Sequence, residues 1–246
     1  MPVVDTETGT RIDEIAPDIF RINTPLGHIP GGFSYNQYLI RDDEPLLFHT
    51  GPRRLFRSTA KAVAAAIPIE TLRYVALSHY EADECGALNQ FLAVAPSAVP
   101  VCSKVAAMVA IGDQADREPK ALVHGETLAL GRKTVEWVDA PHLPHGWECG
   151  YLFERTSRTL FCGDLFTQPG TGDTPLTSSD ILGPSESFRG KFDYFSHTRN
   201  LDALIDRLAA LEPGTLGCMH GSAWQGDGAG LLRALGKSLS ASPIAS

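Results

Sequence analysis

Four times along this chain a short apolar segment runs straight into residue types that bind metal ions, and this recurrence constrains the fold more than any other feature. Residues 72–77 lead into His79-x-Glu81-x-Asp83-Glu84, and residues 134–138 are followed by His142-x-x-His145. Residues 159–162 end in Gly163-Asp164, and residues 215–218 end in Met219-His220-Gly221. Side chains alternate at a strand end, so His79 and Glu81 can converge on one ion, while the start of a helix turns Asp83 and Glu84 toward a second. Groups so far apart in the chain can meet if their strand ends gather at one edge of a sheet sandwich. Loops on such a rigid scaffold are where sites usually sit.

The remaining pattern supplies that scaffold. Residues 12–22 alternate loosely and the segment ends at Pro25; Tyr38-Leu39-Ile40 and Leu46-Leu47-Phe48 flank a turn and predict a hairpin. Residues 55–67 are Ala-rich with helical spacing. A helix starting near Asp83 carries Ala87, Leu88, Phe91, Leu92 and Val94 and stops before Pro96. Residues 99–102 read as a strand, and Ser103 suits the N-cap of a helix running toward Ile111. Further strands are expected at 126–130, 134–138, 150–153, 159–162 and 215–218, with helices at 198–211 and 228–239. Residues 168–189, rich in Gly, Pro and Ser, read as loop. Strands thus come in groups separated by helices, once in each half. Helices on the outside of two packed sheets accommodate that order, and by periodicity alone so do other mixed α/β layouts.

Composition narrows the function classes. The 246 residues suit one domain spanning 1–246, and 43% hydrophobic content is enough for a sizeable core. Lys and Arg total 21 against 29 Asp and Glu, a net charge of −8, and there is no basic run. Nucleic acid and anionic membranes are therefore not expected partners. No apolar stretch approaches the roughly 20 residues of a membrane span. The first residues lack a basic region followed by an apolar one. The five cysteines (Cys85, Cys102, Cys149, Cys162, Cys218) are odd in number and form no Cys-x-x-Cys pair. That usage fits reduced thiols and a soluble cytoplasmic protein.

On the residues quoted above, the chain resembles the metallo-β-lactamase superfamily, and within it the di-iron domain of flavodiiron proteins and related oxygen-binding di-iron proteins. Hydrolases of that superfamily carry His-x-His-x-Asp-His, whereas the flavodiiron group has Glu at the second position, as Glu81 here. The onward order His145, Asp164, His220 follows the family order, with its Gly163-Asp164 and His220-Gly221 contexts. Asn36-Gln37-Tyr38-Leu39-Ile40 resembles the family's first hairpin. Two positions depart: His49-Thr50-Gly51 stands for Asp-Thr-Gly, and Glu84 stands where both groups have His. The resemblance implies an αββα metallo-β-lactamase-type sandwich. It also implies one metal on His79, Glu81 and His145, another on Asp83 and His220, and Asp164 bridging them. Glu84 is a further candidate ligand, or an acid/base group.

The chemistry of that donor set favours two ions of iron, with manganese or zinc as alternatives. Glu81, Asp83, Asp164 and Glu84 outnumber the imidazoles, and carboxylate-rich sites suit iron or manganese while His-rich sites suit zinc. A bridging carboxylate and several anionic ligands offset the repulsion between two neighbouring cations. Two function classes follow. One is a redox or gas-binding protein acting on O2 or NO. Flavodiiron relatives carry a flavodoxin-like domain after the di-iron domain, and this sequence ends at Ser246. A reductase would then require a separate electron donor, and a homodimer is expected by resemblance. The alternative is a hydrolase of an ester, thioester or phosphodiester using a metal-bridging hydroxide, with Glu84 as acid or base. His142 reads as a solvent-facing or supporting neighbour of His145, and His28, His124 and His197 as plain loop residues. Cys85 reads as an inert buried thiol, and Trp147 as a pocket wall or packing residue. No Lys-Ser or Lys-Thr follows Gly31-Gly32, and there is no Gly-x-Ser-x-Gly elbow.

Overall fold

The computed structural model describes residues 3–241. Its first sheet has eight strands in chain order: β1 (Val3–Asp5), β2 (Thr10–Ala16), β3 (Ile19–Pro25), β4 (Ser34–Ile40), β5 (Leu46–Phe48), β6 (Tyr74–Ala76), β7 (Val99–Ser103) and β8 (Lys120–Leu122). The second sheet is built from β9 (Thr127–Ala129), β10 (Thr134–Asp139), β11 (Gly150–Glu154), β12 (Thr159–Phe161), β13 (Leu176–Thr177), β14 (Thr215–Gly217) and β15 (Ala223–Gln225). Its strand order is β13-β15-β14-β12-β11-β10-β9.

Alternation along the strands explains why two sheets stack and helices cover both outer faces. Tyr38, Ile40, Leu46, Phe48, Ala76 and Val101 of the first sheet bury against Val135, Trp137, Leu152 and Phe161 of the second, forming the layer between them. Their sequence neighbours Leu39, Leu47, Val75 and Cys102 point the other way, onto helices Phe56–Ala64 and Leu88–Val94. Likewise Val138, Tyr151, Phe153, Leu160 and Leu216 face helices Leu201–Ala209 and Gly228–Ala241. Strands buried on both faces read as continuous apolar runs because each side chain has a partner layer. The result is the αββα sandwich expected from the sequence.

Several local expectations change. Residues 12–22 form two strands rather than one run, because Pro17-Asp18 turns the chain and Asp18 takes φ 60°. The helix expected from Asp83 to Pro96 is two: Ala82–Cys85 and Leu88–Val94. Gly86 lies at the break, where a Cβ would come within 2.3 Å of Ala82 O and 2.9 Å of Arg53 N. Part of the stretch expected as loop is helical, Leu182–Phe192, although only Ser185 among its residues is buried. With so little apolar face, its sequence carries no helical rhythm. Ser103 does cap its helix, accepting from Ala106 N at 3.0 Å. Among the described residues no helix is long and apolar enough to cross a membrane.

Topology sets where the site lies. Strands β5, β6 and β7 are parallel. Strands β12 and β14 are parallel, and β10 shares their direction because it is antiparallel to β11, itself antiparallel to β12. The C-terminal ends within each group therefore lie at one edge of its sheet. His49 and His79 follow β5 and β6; His145, Asp164 and His220 follow β10, β12 and β14.

Candidate metal centre

The seven residues singled out in the sequence come together at that edge. His79 Nε2 lies 3.0 Å from His145 Nε2, and both nitrogens face Glu81 Oε2, at 3.3 and 2.9 Å. Asp164 Oδ2 is 3.5 Å from each of the same two nitrogens. The other Asp164 oxygen, Oδ1, is 3.2 Å from His220 Nε2, which also lies 3.5 Å from Asp83 Oδ2. Glu84 Oε2 sits 3.9 Å from His79 Nε2. Asp164 thus turns one oxygen to each of two groups.

Backbone and hydroxyl partners orient the rings. His145 Nδ1 donates to Tyr194 O at 2.9 Å, and His220 Nδ1 donates to Ser34 O at 2.8 Å. His79 Nδ1 meets Ser78 Oγ at 2.8 Å. A carbonyl can only accept, so in the neutral rings of His145 and His220 the proton sits on Nδ1 and Nε2 presents a lone pair to the pocket. This is the usual way a protein presents imidazole to a metal. Close packing keeps the loops in place: Gly163 takes φ 49°, and a Cβ there would stand 3.1 Å from the Tyr151 ring and 3.2 Å from Ser78 Oγ.

The pocket is electrostatically unsettled without a cation. Both oxygens of Glu84 and Oδ1 of Asp164 are buried without a hydrogen bond. Burial, with Asp164 beside it, pushes the Glu84 carboxyl well above the usual carboxylate range. Burial likewise raises Asp83, only partly countered by His220. The imidazoles of His145 and His79 hold Glu81 down to about 2. Asp164 is fully buried, yet His220, His79 and His145 hold it below the ordinary range. Burial would lower the three histidines, but the carboxylates prevail: Glu84 leads for His79, Glu81 for His145 and Asp164 for His220, and all three are raised. Buried polar groups left without partners are costly, and positive charge in the middle of this cluster would satisfy all of them. The residues present therefore fit a pair of cations. His79, Glu81, His145 and Asp164 offer atoms close enough for one ion, and Glu81, Asp83 and Glu84 form an overlapping acidic group.

Other sequence candidates lie elsewhere. His142, His28, His124 and His197 are exposed. Trp147 is 59% exposed, so it is not a packing residue. Cys85 is a buried thiol that burial and Glu84 push up to about 12. Sequence reasoning missed the supporting groups: the carbonyls of Tyr194 and Ser34, which leave no side-chain signature, and Phe33, whose ring stacks on His220 at 4.4 Å. Ser78, adjacent to His79, was legible only as a neighbour. At the departing position His49, burial pushes the imidazole well down, which favours the neutral ring.

Fold and site together define a two-sheet protein of the metallo-β-lactamase type with a carboxylate-rich cluster whose residues fit metal ions. The chain belongs to the family described as ODP family beta lactamase, whose family model matches residues 33–221. It is 25% identical over 213 residues to the anaerobic nitric oxide reductase flavorubredoxin of Pectobacterium carotovorum, covering 82% of this chain and 41% of that protein. The metal-soaked Flv1 flavodiiron core of Synechocystis sp. PCC6803 superposes with a TM-score of 0.80 at 20% identity, over 94% of this chain and 61% of that one. The rubredoxin oxygen:oxidoreductase of Desulfovibrio gigas gives 0.79 at 20% identity, over 95% and 63%. The chain therefore spans about two fifths of the length of the flavorubredoxin it matches.

Proposed function

We propose that this chain is a dinuclear, di-iron redox protein that binds O2 or NO. The observation that supports it most is Asp164, one oxygen toward His79 and His145 and the other toward His220. In this reading His79, Glu81 and His145 hold one ion, Asp83 and His220 hold the other, and Asp164 bridges. Glu84, whose two buried oxygens make no hydrogen bond under strict geometry, is a further ligand. Four carboxylates balance two divalent ions and weight the site toward iron over zinc. Relatives named as nitric oxide reductases and as an oxygen oxidoreductase point the same way.

Two ferrous ions would supply electrons to a bound diatomic gas. The protein's own part is to orient and shield. Phe33 packs on His220 and stacks on Phe188 at 5.7 Å, forming an apolar cover on that side. Glu81, half-exposed, leaves the His145 side open to entering gas. Burial, with Asp164 beside it, favours the protonated Glu84 carboxyl, and an ion held there would favour the carboxylate. The hydrolytic alternative lacks a comparable observation, since Glu81 occupies the position where hydrolases of this fold place His. Turnover as a reductase requires an electron donor; a separate donor protein, a homodimer and cytoplasmic residence complete the reading. Five free, buried cysteines agree with a reducing compartment.

The test is anaerobic purification followed by metal analysis and absorption spectroscopy on admission of oxygen or NO. Two irons per chain and a gas-dependent spectral change are expected. Two zinc ions, no spectral change and hydrolysis of an ester or phosphodiester would replace this reading with the hydrolytic one.

A further inference from the structure

We infer that His49 is a positioning residue for both sides of the centre, linking His79 through Ser78 and His220 through Met219. The inference rests on the ligand set proposed above but not on the choice of redox chemistry.

The argument follows the protons. For His79 Nε2 to present a lone pair to a cation, Nδ1 must carry the ring proton and donate it to Ser78 Oγ, 2.8 Å away. A serine hydroxyl has a single proton. Having accepted from His79, Ser78 donates that proton onward, and the atom placed to receive it is His49 Nε2, at 2.8 Å. A second group reaches the same conclusion independently. The backbone N–H of Ser78, which can only donate, also points at His49 Nε2, at 3.3 Å. That nitrogen is therefore the bare one. The ring proton of His49 sits on Nδ1 and is aimed at Met219 Sδ, 3.1 Å away.

Every proton in the series His79, Ser78, His49, Met219 thus runs in one direction, away from the pocket. Reversing the series would place a proton on His79 Nε2, where the ion must bind. The far end matters as much. Met219 precedes His220 in sequence, and its backbone is tied on both sides, donating to Gly163 O at 2.8 Å and accepting from Asn36 N at 2.8 Å. His49 therefore stands between the strand end bearing His79 and the one bearing His220. It is fully enclosed, 1% exposed, and takes φ 65°, a left-handed backbone uncommon for a residue other than glycine. An aspartate at this position would accept from Ser78 but, ionised, could not donate toward Met219. Histidine supplies both halves of the link.

The test uses the full chain loaded with Zn(II), which is diamagnetic. Long-range 1H–15N NMR should show His49 as the Nδ1–H tautomer and His79 bonded through Nε2; a proton on His49 Nε2 overturns the inference. If two zinc ions fail to bind at all, it is the ligand set that fails, a distinguishable result. Two conservative variants give a crossed readout by chelator competition, with the binding steps assigned from Glu81→Ala. His49→Gln keeps an acceptor near the Nε2 position, and should hold the His79-side ion within a few-fold while weakening the His220-side ion. His49→Asn keeps a donor near the Nδ1 position and should do the reverse. Ser78→Ala should weaken the His79-side ion by about 10–100-fold, as loss of a group supporting a metal-bound histidine does. Equal loss at both positions in Gln and Asn variants, or unchanged affinity in Ser78→Ala, overturns the proposal.

Discussion

The two sides of the centre differ in how they meet solvent. On the His79 side, Glu81 is 52% and His145 26% exposed, and the donor atoms crowd to within 2.9–3.3 Å of one another. On the His220 side, His220 is 6% exposed and lies beneath the Phe33 ring, with Asp83 at 22%. One side is open and pre-gathered; the other is closed, and burial raises its Asp83 carboxyl. The contrast teaches that the sides have separate work. On the proposed reading, the open side suits entry of ions and gas and the closed side suits retention, with Asp164 as the group they share.

That comparison can be broken or sharpened in order of expected effect. Asp164→Ala should remove both ions together, from two per chain to none by metal analysis; retention of full stoichiometry ends the bridging assignment. Glu81→Ala should empty only the open side, leaving about one ion per chain, and His220→Ala should leave the complementary one. Acidification should weaken both. The histidines are raised in the metal-free pocket, so below their titration each binding event must expel imidazole protons. Affinity then falls by about tenfold per pH unit for each proton displaced, measurable by competition at pH 6 and pH 8.

Glu84→Gln should act in opposite directions on the two forms. The raised Glu84 carboxyl contributes its stability below the unfolded carboxylate range and loses it as pH rises toward the folded value. At neutral pH the metal-free Gln variant should therefore melt a few degrees higher, while the metal-loaded variant melts lower. A loaded form equally stable in both would deny Glu84 a place at the metal. Smallest of all, Phe33→Ala should speed chelator removal of the closed-side ion severalfold and leave the open-side ion unchanged, as read from stopped-flow release.

Much of the fold was legible because its central strands are apolar on both faces. Leu46-Leu47-Phe48 and Tyr74-Val75-Ala76 announce themselves since each residue finds a layer to bury against. The edges were not legible. Strand β8 exposes Lys120 and Ala121, β13 has two residues, and helix Leu182–Phe192 buries Ser185 alone, so none shows an apolar period. The break in the helix after Cys85 was equally hidden, because Gly86 is crowded by the backbone of Arg53, distant in sequence, as well as by Ala82 O.

What the sequence by itself determined is a set of metal-binding residue types and its rough stations. His79, Glu81, Asp83, Glu84, His145, Asp164 and His220 are the right chemical types, and the apolar runs before most of them mark strand ends. Direction was decided by tertiary structure alone. Which Asp164 oxygen faces which imidazole, and which ring nitrogen is bare, depend on Tyr194 O, Ser34 O and Ser78 Oγ arriving from other parts of the chain. The physical reason is that a hydrogen bond to a main-chain carbonyl depends on where the backbone passes and hardly at all on the side chain it carries, so it leaves no mark in a string of residues.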